Sequence, residues 1–316
     1  MKRWKTPLVV FFLLQAWVLF SCSVRSDSDS KEGGWILQRS GTTANLSGVA
    51  FVNNQTGWVA GEKGTILHTE NGGETWMPQE SPTQDDLFSI DFIDEQTGWA
   101  GGARKVFLRT DDGGRSWSKQ PQQGDQTILD LDFIDPEHGW VVGTFQDVQK
   151  TSTGGSQWET QPTASTYNWT SLFFLSPQVG WATSMRGDII RTVDGGKRWI
   201  GQIRIIHPLA KIHFVDAEHG WAAGAGGTVL TTVDGGKNWI PQRSGTTKDL
   251  WGLAFVDQTV GWAVGEGGLI LFTTDGGRRW RQEASGTGED LWNVTFSDAA
   301  HGWAVGHGGT ILQYVR

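Results

Sequence analysis

Carboxylates are the side chains in this sequence that could most directly carry out chemistry, because two of them in one cleft can hydrolyse a glycosidic bond. The 316-residue chain has 34 Asp and Glu against 26 Lys and Arg. Asp91, Asp130 and Asp132 lie inside short apolar runs. A second set, four aspartates and one asparagine, precedes a Gly-Gly pair in five of the seven repeats: Asn71, Asp112, Asp194, Asp234 and Asp275. A catalytic group is needed only once, so we interpret the second set as a structural turn and the first as the polar lining of a central channel.

The other residue types that could form a catalytic or metal site do not suggest one. Sialidase chemistry needs three arginines and a tyrosine nucleophile with a glutamate partner, and the chain has only two tyrosines, Tyr167 and Tyr314. His138, His219 and His301 precede Gly-Trp pairs in different repeats, so we do not expect them to converge on one metal ion. We therefore predict no catalytic residue, no metal and no cofactor.

A repeat of about 41 residues, present seven times, must position these side chains. Each copy has four short strand-like runs between Gly-rich turns, which is the spacing of a propeller blade. Its turn Thr-x-Asp-Gly-Gly-x-x-Trp resembles the Asp-box of sialidases and sortilin-type receptors. A Gly-Trp pair marks every copy, with its tryptophan at Trp58, Trp99, Trp140, Trp181, Trp221, Trp262 and Trp303.

The two ends of the repeat region complement each other. The last copy stops at Arg316 after its third strand, whereas residues 35–42 match the fourth strand and exit turn at residues 239–246. Pairing the termini would remove an exposed sheet edge. We predict an all-β fold: residues 35–316 form one seven-bladed β-propeller of four-stranded blades, with the last blade closed by the N-terminal strand.

The N-terminus is typical of an export signal. A basic start is followed by an apolar stretch that is short for a membrane span, and Leu19-Phe20-Ser21-Cys22 resembles the lipobox of bacterial lipoproteins. Cys22 is the only cysteine. We predict a lipoprotein signal peptide over residues 1–21, lipidation of Cys22 and a flexible tether over residues 22–34, which would anchor the protein outside the cytoplasm, at the periplasmic face or cell surface. The alternative is an ordinary signal peptide cut near Ser21.

Residues 35–316 resemble the propellers of the photosystem II stability/assembly factor family. The resemblance is carried by Gly-Trp-x-x-Gly, Gly-Thr-(Ile/Val)-Leu-x-Thr and x-Asp-Gly-Gly-x-x-Trp, which follow one another through residues 220–239. It implies a non-catalytic scaffold or assembly factor that binds a protein, such as a membrane-protein subunit. The alternative left open is an extracytoplasmic propeller that binds or hydrolyses a glycan.

One face of the propeller is the candidate binding surface. In this fold the loops between blades share a face with the turns between second and third strands, and the Asp-boxes occupy the other face. The irregular residues expected on the first face are Arg104, Lys105, Tyr167, Trp169 and Arg186. The alternative is that Trp169, Trp251 and Trp292 plug the channel or pack between blades. A net charge of -8 argues against nucleic acid as a partner, and we expect a monomer.

Overall fold

The computed structural model describes residues 33–121, 126–144, 147–163 and 167–316. These residues form seven separate four-stranded antiparallel sheets, which confirms the predicted all-β propeller. No α-helix occurs among them, and no helix there has the length and apolar character needed to cross a bilayer. Cys22, the predicted signal peptide and the tether before Gly33 lie outside the described residues.

The strands repeat in the same order in every blade, from the propeller axis outwards. The inner strands are Leu46–Phe51, Leu87–Phe92, Ile128–Phe133, Trp169–Phe174, Leu209–Phe214, Leu250–Phe255 and Leu291–Asp298. The second strands are Gly57–Gly61, Gly98–Gly102, Gly139–Gly143, Gly180–Ser184, Gly220–Gly224, Gly261–Gly265 and His301–Gly306. The third strands are Ile66–Thr69, Phe107–Thr110, Val148–Thr151, Asp188–Thr192, Thr228–Thr232, Leu269–Thr273 and Ile311–Val315.

Outer strands complete the blades, and short 3-10 turns connect several second and third strands. In blades 1 to 6 the outer strands are Met77–Pro78, Ser118–Lys119, Glu159–Gln161, Ile200–Arg204, Ile240–Arg243 and Arg281–Glu283. The 3-10 turns are Glu62–Gly64, Ala103–Lys105, Ala225–Gly227, Glu266–Gly268 and His307–Gly309.

Aromatic stacking joins neighbouring blades, and it explains the repeat of Phe and Gly-Trp. In every blade the tryptophan of the Gly-Trp pair stacks flat on the phenylalanine that ends, or lies near the end of, the next inner strand, at centroid distances of 3.4–3.7 Å. The Asp-box tryptophan meets that phenylalanine edge-on, as Trp117 meets Phe92 at 5.8 Å. Each interface therefore contains three packed rings, a large apolar area with favourable ring geometry.

Glycine precedes the stacked tryptophan because the phenylalanine ring of the same blade leaves no room for a side chain. A Cβ at Gly57 would lie 2.4 Å from a ring carbon of Phe51, and the other six glycines are equally crowded. In five blades the tryptophan Nε1 also donates to the first Asp-box glycine carbonyl of the next blade, as from Trp58 to Gly113 at 3.0 Å. The Asp-box thus serves its neighbour as well as its own blade.

The N-terminal strand Gly34–Gln38 closes the ring as the outer strand of blade 7. It pairs antiparallel with the third strand Ile311–Val315, with Trp35 opposite Tyr314. Trp35 meets Phe296 edge-on at 5.8 Å, the position that an Asp-box tryptophan has in the other blades. The prediction that the first and last strands share a blade is confirmed.

Candidate partner-binding face and axial cavity

Hydrogen bonds assign the loops of the propeller to two faces. The turn after a second strand bonds to the loop that enters the same blade, as the Ala103 amide does to the Asp86 carbonyl at 2.8 Å. The Asp-box bonds instead to the turn between inner and second strands, as the Gly113 amide does to the Gln96 carbonyl at 2.8 Å. We call the first side the blade-linker face and the second the Asp-box face.

On the blade-linker face, blade 2 places two basic residues where blades 5 to 7 have Gly-Gly. Arg104 and Lys105 both have left-handed backbone, with φ of 51° and 54°. The corresponding glycines have φ between 63° and 77°: Gly226, Gly227, Gly267, Gly268, Gly308 and Gly309. A residue with a Cβ loses about 1–2 kcal/mol in this conformation. Presenting two cations at this turn therefore costs blade 2 some stability. Backbone strain of this kind is typical of functional positions.

This strain leads to a stability prediction. We expect the double variant Arg104→Gly with Lys105→Gly to raise the free energy of unfolding by about 1–2 kcal/mol, because relief of two left-handed residues exceeds the extra entropy that glycine loses. Denaturant unfolding measures the change. Lys119→Gly, in an ordinary outer strand, should instead destabilise the fold by about 0.5–1 kcal/mol. A double variant less stable than the parent would contradict the account.

Arg104 and Lys105 differ in how they are held. The Arg104 side chain is 69% exposed and pairs with Asp85 of the loop that enters blade 2. Lys105 is half-buried, and this burial lowers the pKa of its ammonium group. Both groups remain at the rim of the blade-linker face, and Arg104 extends further into solvent.

Blade 4 contributes a second basic group on the same face. The Arg186 guanidinium lies over the Tyr167 ring at 4.1 Å, a cation–π contact that orients both side chains. Arg204, at the end of the outer strand, forms an ion pair with Asp188, which raises the pKa of Arg204. Our sequence reasoning missed Arg204. The outer strand that carries it is five residues long, against two or three in blades 1 to 3, and this length is a feature of the structure.

Trp169 does not lie on this surface. Only 1% of it is exposed, and its Nε1 donates to Thr163 Oγ1 at 3.2 Å. It begins the inner strand of blade 4 at the position that Leu or Ile occupies in the other blades. In this conformation it cannot contact a partner directly, so the structure brings Tyr167 and Arg186 together in blade 4 and leaves Arg104 and Lys105 separate in blade 2.

The two other unassigned tryptophans are more exposed. Trp251 and Trp292 are half-buried residues at a β-bulge near the start of their inner strands, and Trp292 lies beside His307 of the blade-linker face, at 6.3 Å between rings. They therefore contribute aromatic surface to blades 6 and 7 rather than to the basic blades 2 and 4.

An axial cavity of about 230 Å³ lies among the inner strands. The buried carboxylate of Asp130 lines it, pairs with Lys211 at 3.0 Å and accepts hydrogen bonds from Ser89 at 3.1 Å and Ser171 at 2.7 Å. The Leu172 amide adds a fourth donor at 3.2 Å. This network joins blades 2, 3, 4 and 5 around the axis, and it satisfies both Asp130 oxygens.

The other axial carboxylates are harder to ionise. Burial raises the pKa of Asp91 to about 6, although the Phe92 and Phe133 amides donate to it at 2.9 Å and 2.8 Å. Burial, together with the negative charge of Asp91, raises the pKa of Asp132 well above its usual value. A carboxyl group of this kind could act as a general acid. Each nevertheless accepts an amide of the next blade, so both also join inner strands across blade boundaries.

The Asp-box carboxylates are engaged within their own turns. Asp112 Oδ1 accepts the Ser116 amide at 2.9 Å and the Thr110 hydroxyl at 2.8 Å. Hydrogen bonds of this kind lower the pKa of Asp112, Asp194 and Asp234. In blade 1, Asn71 Oδ1 accepts the Thr75 amide in the same way.

Among the described residues, one group of three could offer ligands to a metal ion, namely Asp135, Glu137 and His138. Asp135 already accepts the amides of the other two and contacts the His138 ring nitrogen at 2.9 Å. The same turn with an Asp–His contact occurs in blades 5 and 7, at His219 and His301. These histidines therefore order turns on the Asp-box face in three separate blades.

Solved propellers superpose on most of the chain. A structure of YCF48 bound to D1 peptide has a TM-score of 0.77 and 22% identity and covers 90% of this chain and 98% of its own. YCF48 from Cyanidioschyzon merolae has a TM-score of 0.75 and 22% identity, with coverage of 89% and 98%. The WD40 propeller domain of Doa1 reaches a TM-score of 0.76 at only 11% identity, with coverage of 90% and 98%. At these identities the likeness establishes the fold alone.

Family membership follows from the sequence. No curated protein sequence matches the chain. The sequence model of the family described as photosynthesis system II assembly factor YCF48 matches residues 28–124, 120–205, 201–282 and 240–315. These segments cover the propeller from before its closing strand to the penultimate residue. The chain therefore belongs to the photosynthesis system II assembly factor YCF48 family.

Proposed function

We propose that this protein is a non-catalytic scaffold that binds a protein partner through the blade-linker face. The observation that carries the proposal is the pair Arg104 and Lys105, which occupy left-handed backbone at positions that are glycine in three other blades. A strained backbone at a surface turn is kept when the side chains that it presents are needed for function. A relative of this fold, YCF48, has been solved with a D1 peptide bound, which supports a protein rather than a sugar as the partner.

The residue types on this face suit recognition of an acidic or aromatic protein surface. Arginine and tyrosine supply much of the binding energy in protein interfaces. Arg186 and Tyr167 are held against each other, so less side-chain freedom is lost on binding than for two independent residues. A membrane-protein subunit with an acidic segment is the partner that we propose.

Charge reversal tests the proposed face. Arg104→Glu with Arg186→Glu should abolish capture of the partner from detergent-solubilised membranes of the source organism, while the melting temperature changes little. The matched control is Lys197→Glu with Lys237→Glu, two exposed residues of Asp-box turns. The partner is identified by mass spectrometry of the wild-type sample. If the control pair loses capture and the test pair does not, the partner binds the Asp-box face and the proposal is wrong.

An activity assay on the same protein distinguishes the scaffold proposal from the alternative that the protein hydrolyses a glycan. Asp91, whose raised pKa is the feature such an activity would use, lies in the axial cavity rather than on the proposed face. Hydrolysis of a glycoside that disappears in Asp91→Asn, without any partner captured, would overturn the scaffold proposal.

We further propose that Cys22 is lipidated and anchors the protein to a bacterial membrane outside the cytoplasm. Cys22→Ala should move the protein from the membrane fraction to the soluble fraction or block removal of its signal peptide. Several acyl chains are needed for stable anchoring, so loss of the modified residue should release the protein completely. Cell fractionation and mass spectrometry of the mature N-terminus measure this. A soluble wild-type protein with a different N-terminal residue would contradict it.

A further inference from the structure

Basic side chains fill three of the grooves between neighbouring blades on the Asp-box face. In blade 2, Arg109 lies over Trp99 at 5.6 Å, and its Nη1 reaches the carbonyls of Pro136 and Gly154 in blade 3 at 3.4 Å and 3.3 Å. Arg109 is therefore a side chain of one blade that binds the turns of the next.

Blades 3 and 4 repeat this arrangement. Lys150 lies over Trp140 at 5.4 Å and donates to the Gly195 carbonyl at 3.3 Å. Arg191 lies over Trp181 at 5.2 Å, on the same strand position opposite the Gly-Trp tryptophan. A cation thus lies over the tryptophan in three consecutive blades, and in two of them it donates to an Asp-box carbonyl of the next blade.

The groove between blades 1 and 2 has no basic side chain at this strand position, and the Gly113 carbonyl instead accepts a hydrogen bond from Gln79 Nε2 at 3.1 Å. His68 occupies the equivalent position opposite Trp58 and stacks on it at 4.8 Å, but its ring is too short to cross to blade 2. Its buried Nε2 has no hydrogen-bond partner within the described part of the chain. A cavity of about 550 Å³ is left here, lined by His68, Met77, Gln79, Glu95, Asp112 and Arg115 among others.

The groove keeps the same backbone carbonyls, although the Gly113 carbonyl accepts Trp58 Nε1 at 3.0 Å and the Glu95 carbonyl accepts Gln96 Nε2 at 3.2 Å. The Glu95 carbonyl has the same place beside Gly113 that the Pro136 carbonyl has beside Gly154, at 2.7 Å and 2.6 Å from the ideal Cβ position. Three glutamates, Glu70, Glu80 and Glu95, line the groove against one arginine, Arg115. Burial lowers the pKa of His68, so the ring is neutral at pH 7 and does not repel a cation.

We propose that the groove between blades 1 and 2 binds an arginine side chain of a protein partner, whose guanidinium takes the place that Arg109 occupies in the next groove. This is a second site, on the opposite face from the scaffold site proposed above, and it does not depend on that proposal. The carboxylates of Glu70, Glu80 and Glu95 select a basic residue, and their geometry favours the planar, multi-donor guanidinium over an ammonium group.

The probe is the capped tripeptide acetyl-Gly-Arg-Gly-amide, titrated into the purified full-length mature protein. We expect a saturable shift of the His68 imidazole resonances in ¹H–¹³C NMR spectra, with a dissociation constant on the order of 1 mM. The neutral analogue acetyl-Gly-citrulline-Gly-amide should bind at least about tenfold more weakly, because it keeps the shape but not the charge. Equal binding of the two peptides, or no His68 shift, would overturn the proposal.

A filled groove provides the matched variant. His68→Arg supplies the missing side chain from within the chain, so it should fold normally and bind the arginine peptide at least about tenfold more weakly by calorimetry. Thr231→Arg changes the same strand position in blade 5 and should leave the His68 shift intact. Undiminished binding by His68→Arg would show that the peptide binds elsewhere, and would overturn the assignment even if the variant is stable.

Discussion

Replacing Trp35 by alanine is expected to lower the free energy of unfolding by about 3–5 kcal/mol, the usual cost of truncating a buried tryptophan. Its indole packs against Phe296 and Tyr314, and its Nε1 donates to Glu283 of blade 6 at 3.1 Å. The substitution therefore weakens the seam on both sides. Deleting residues 35–40 should have a larger effect, because the third strand of blade 7 then loses its outer partner along its whole length.

The neighbouring residue is the matched control. Ile36 lies on the same strand but points to solvent, with 51% of its surface exposed, so Ile36→Ala should change stability by less than about 0.5 kcal/mol. Chemical denaturation of both variants measures the difference. If Trp35→Ala and Ile36→Ala have the same free energy of unfolding, the N-terminal strand does not stabilise the closed ring.

Lys211→Met is expected to cost about 3 kcal/mol, since it leaves the Asp130 carboxylate at the axis without its counter-charge. Asp130 is 8% exposed in its side chain and Lys211 23%, so solvent can replace little of the lost interaction. The damage should extend to the inner strands of blades 2 to 5, which the Asp130 network joins. Hydrogen exchange of the Leu172 amide reports this locally.

The double variant Asp130→Asn with Lys211→Met separates charge from packing. Removing both charges should restore at least half of the stability lost in Lys211→Met, because no unpaired ion then remains buried. If the double variant is less stable than either single variant, Asp130 acts through its serine and amide bonds rather than through the ion pair.

The fold was predictable from sequence because its interfaces are repeated. Each blade uses the same phenylalanine, Gly-Trp and Asp-box tryptophan, so the spacing of three residue types specifies how every blade contacts the next. Closure was predictable because residues 35–42 carry a strand pattern that the last copy lacks. These features depend on residues that recur in register.

The candidate site was predicted less completely, because its features are departures from the repeat. The burial of Trp169 could have been predicted by aligning the repeats, since every other blade has Leu or Ile at that position. The pairing of Asp130 with Lys211 could not, because it joins blades 3 and 5 across the axis and depends on side-chain length and rotamer. The groove at His68 likewise appears only when the side chains of four blades are compared in space.

The seam also dictates when the molecule can finish folding. Gln38 donates to Gln313 at 2.7 Å, yet the two residues are 275 positions apart in the chain. At a synthesis rate of about 5–20 residues per second, roughly 14–55 s separate the emergence of the closing strand from that of its partner. During this interval the blades can form one after another from local hairpins. The first strand has no partner strand yet, so Trp35 stays exposed to solvent. The last event is then a long-range annealing of the chain's two ends, and every protein made must pass through an open arc before it becomes a ring.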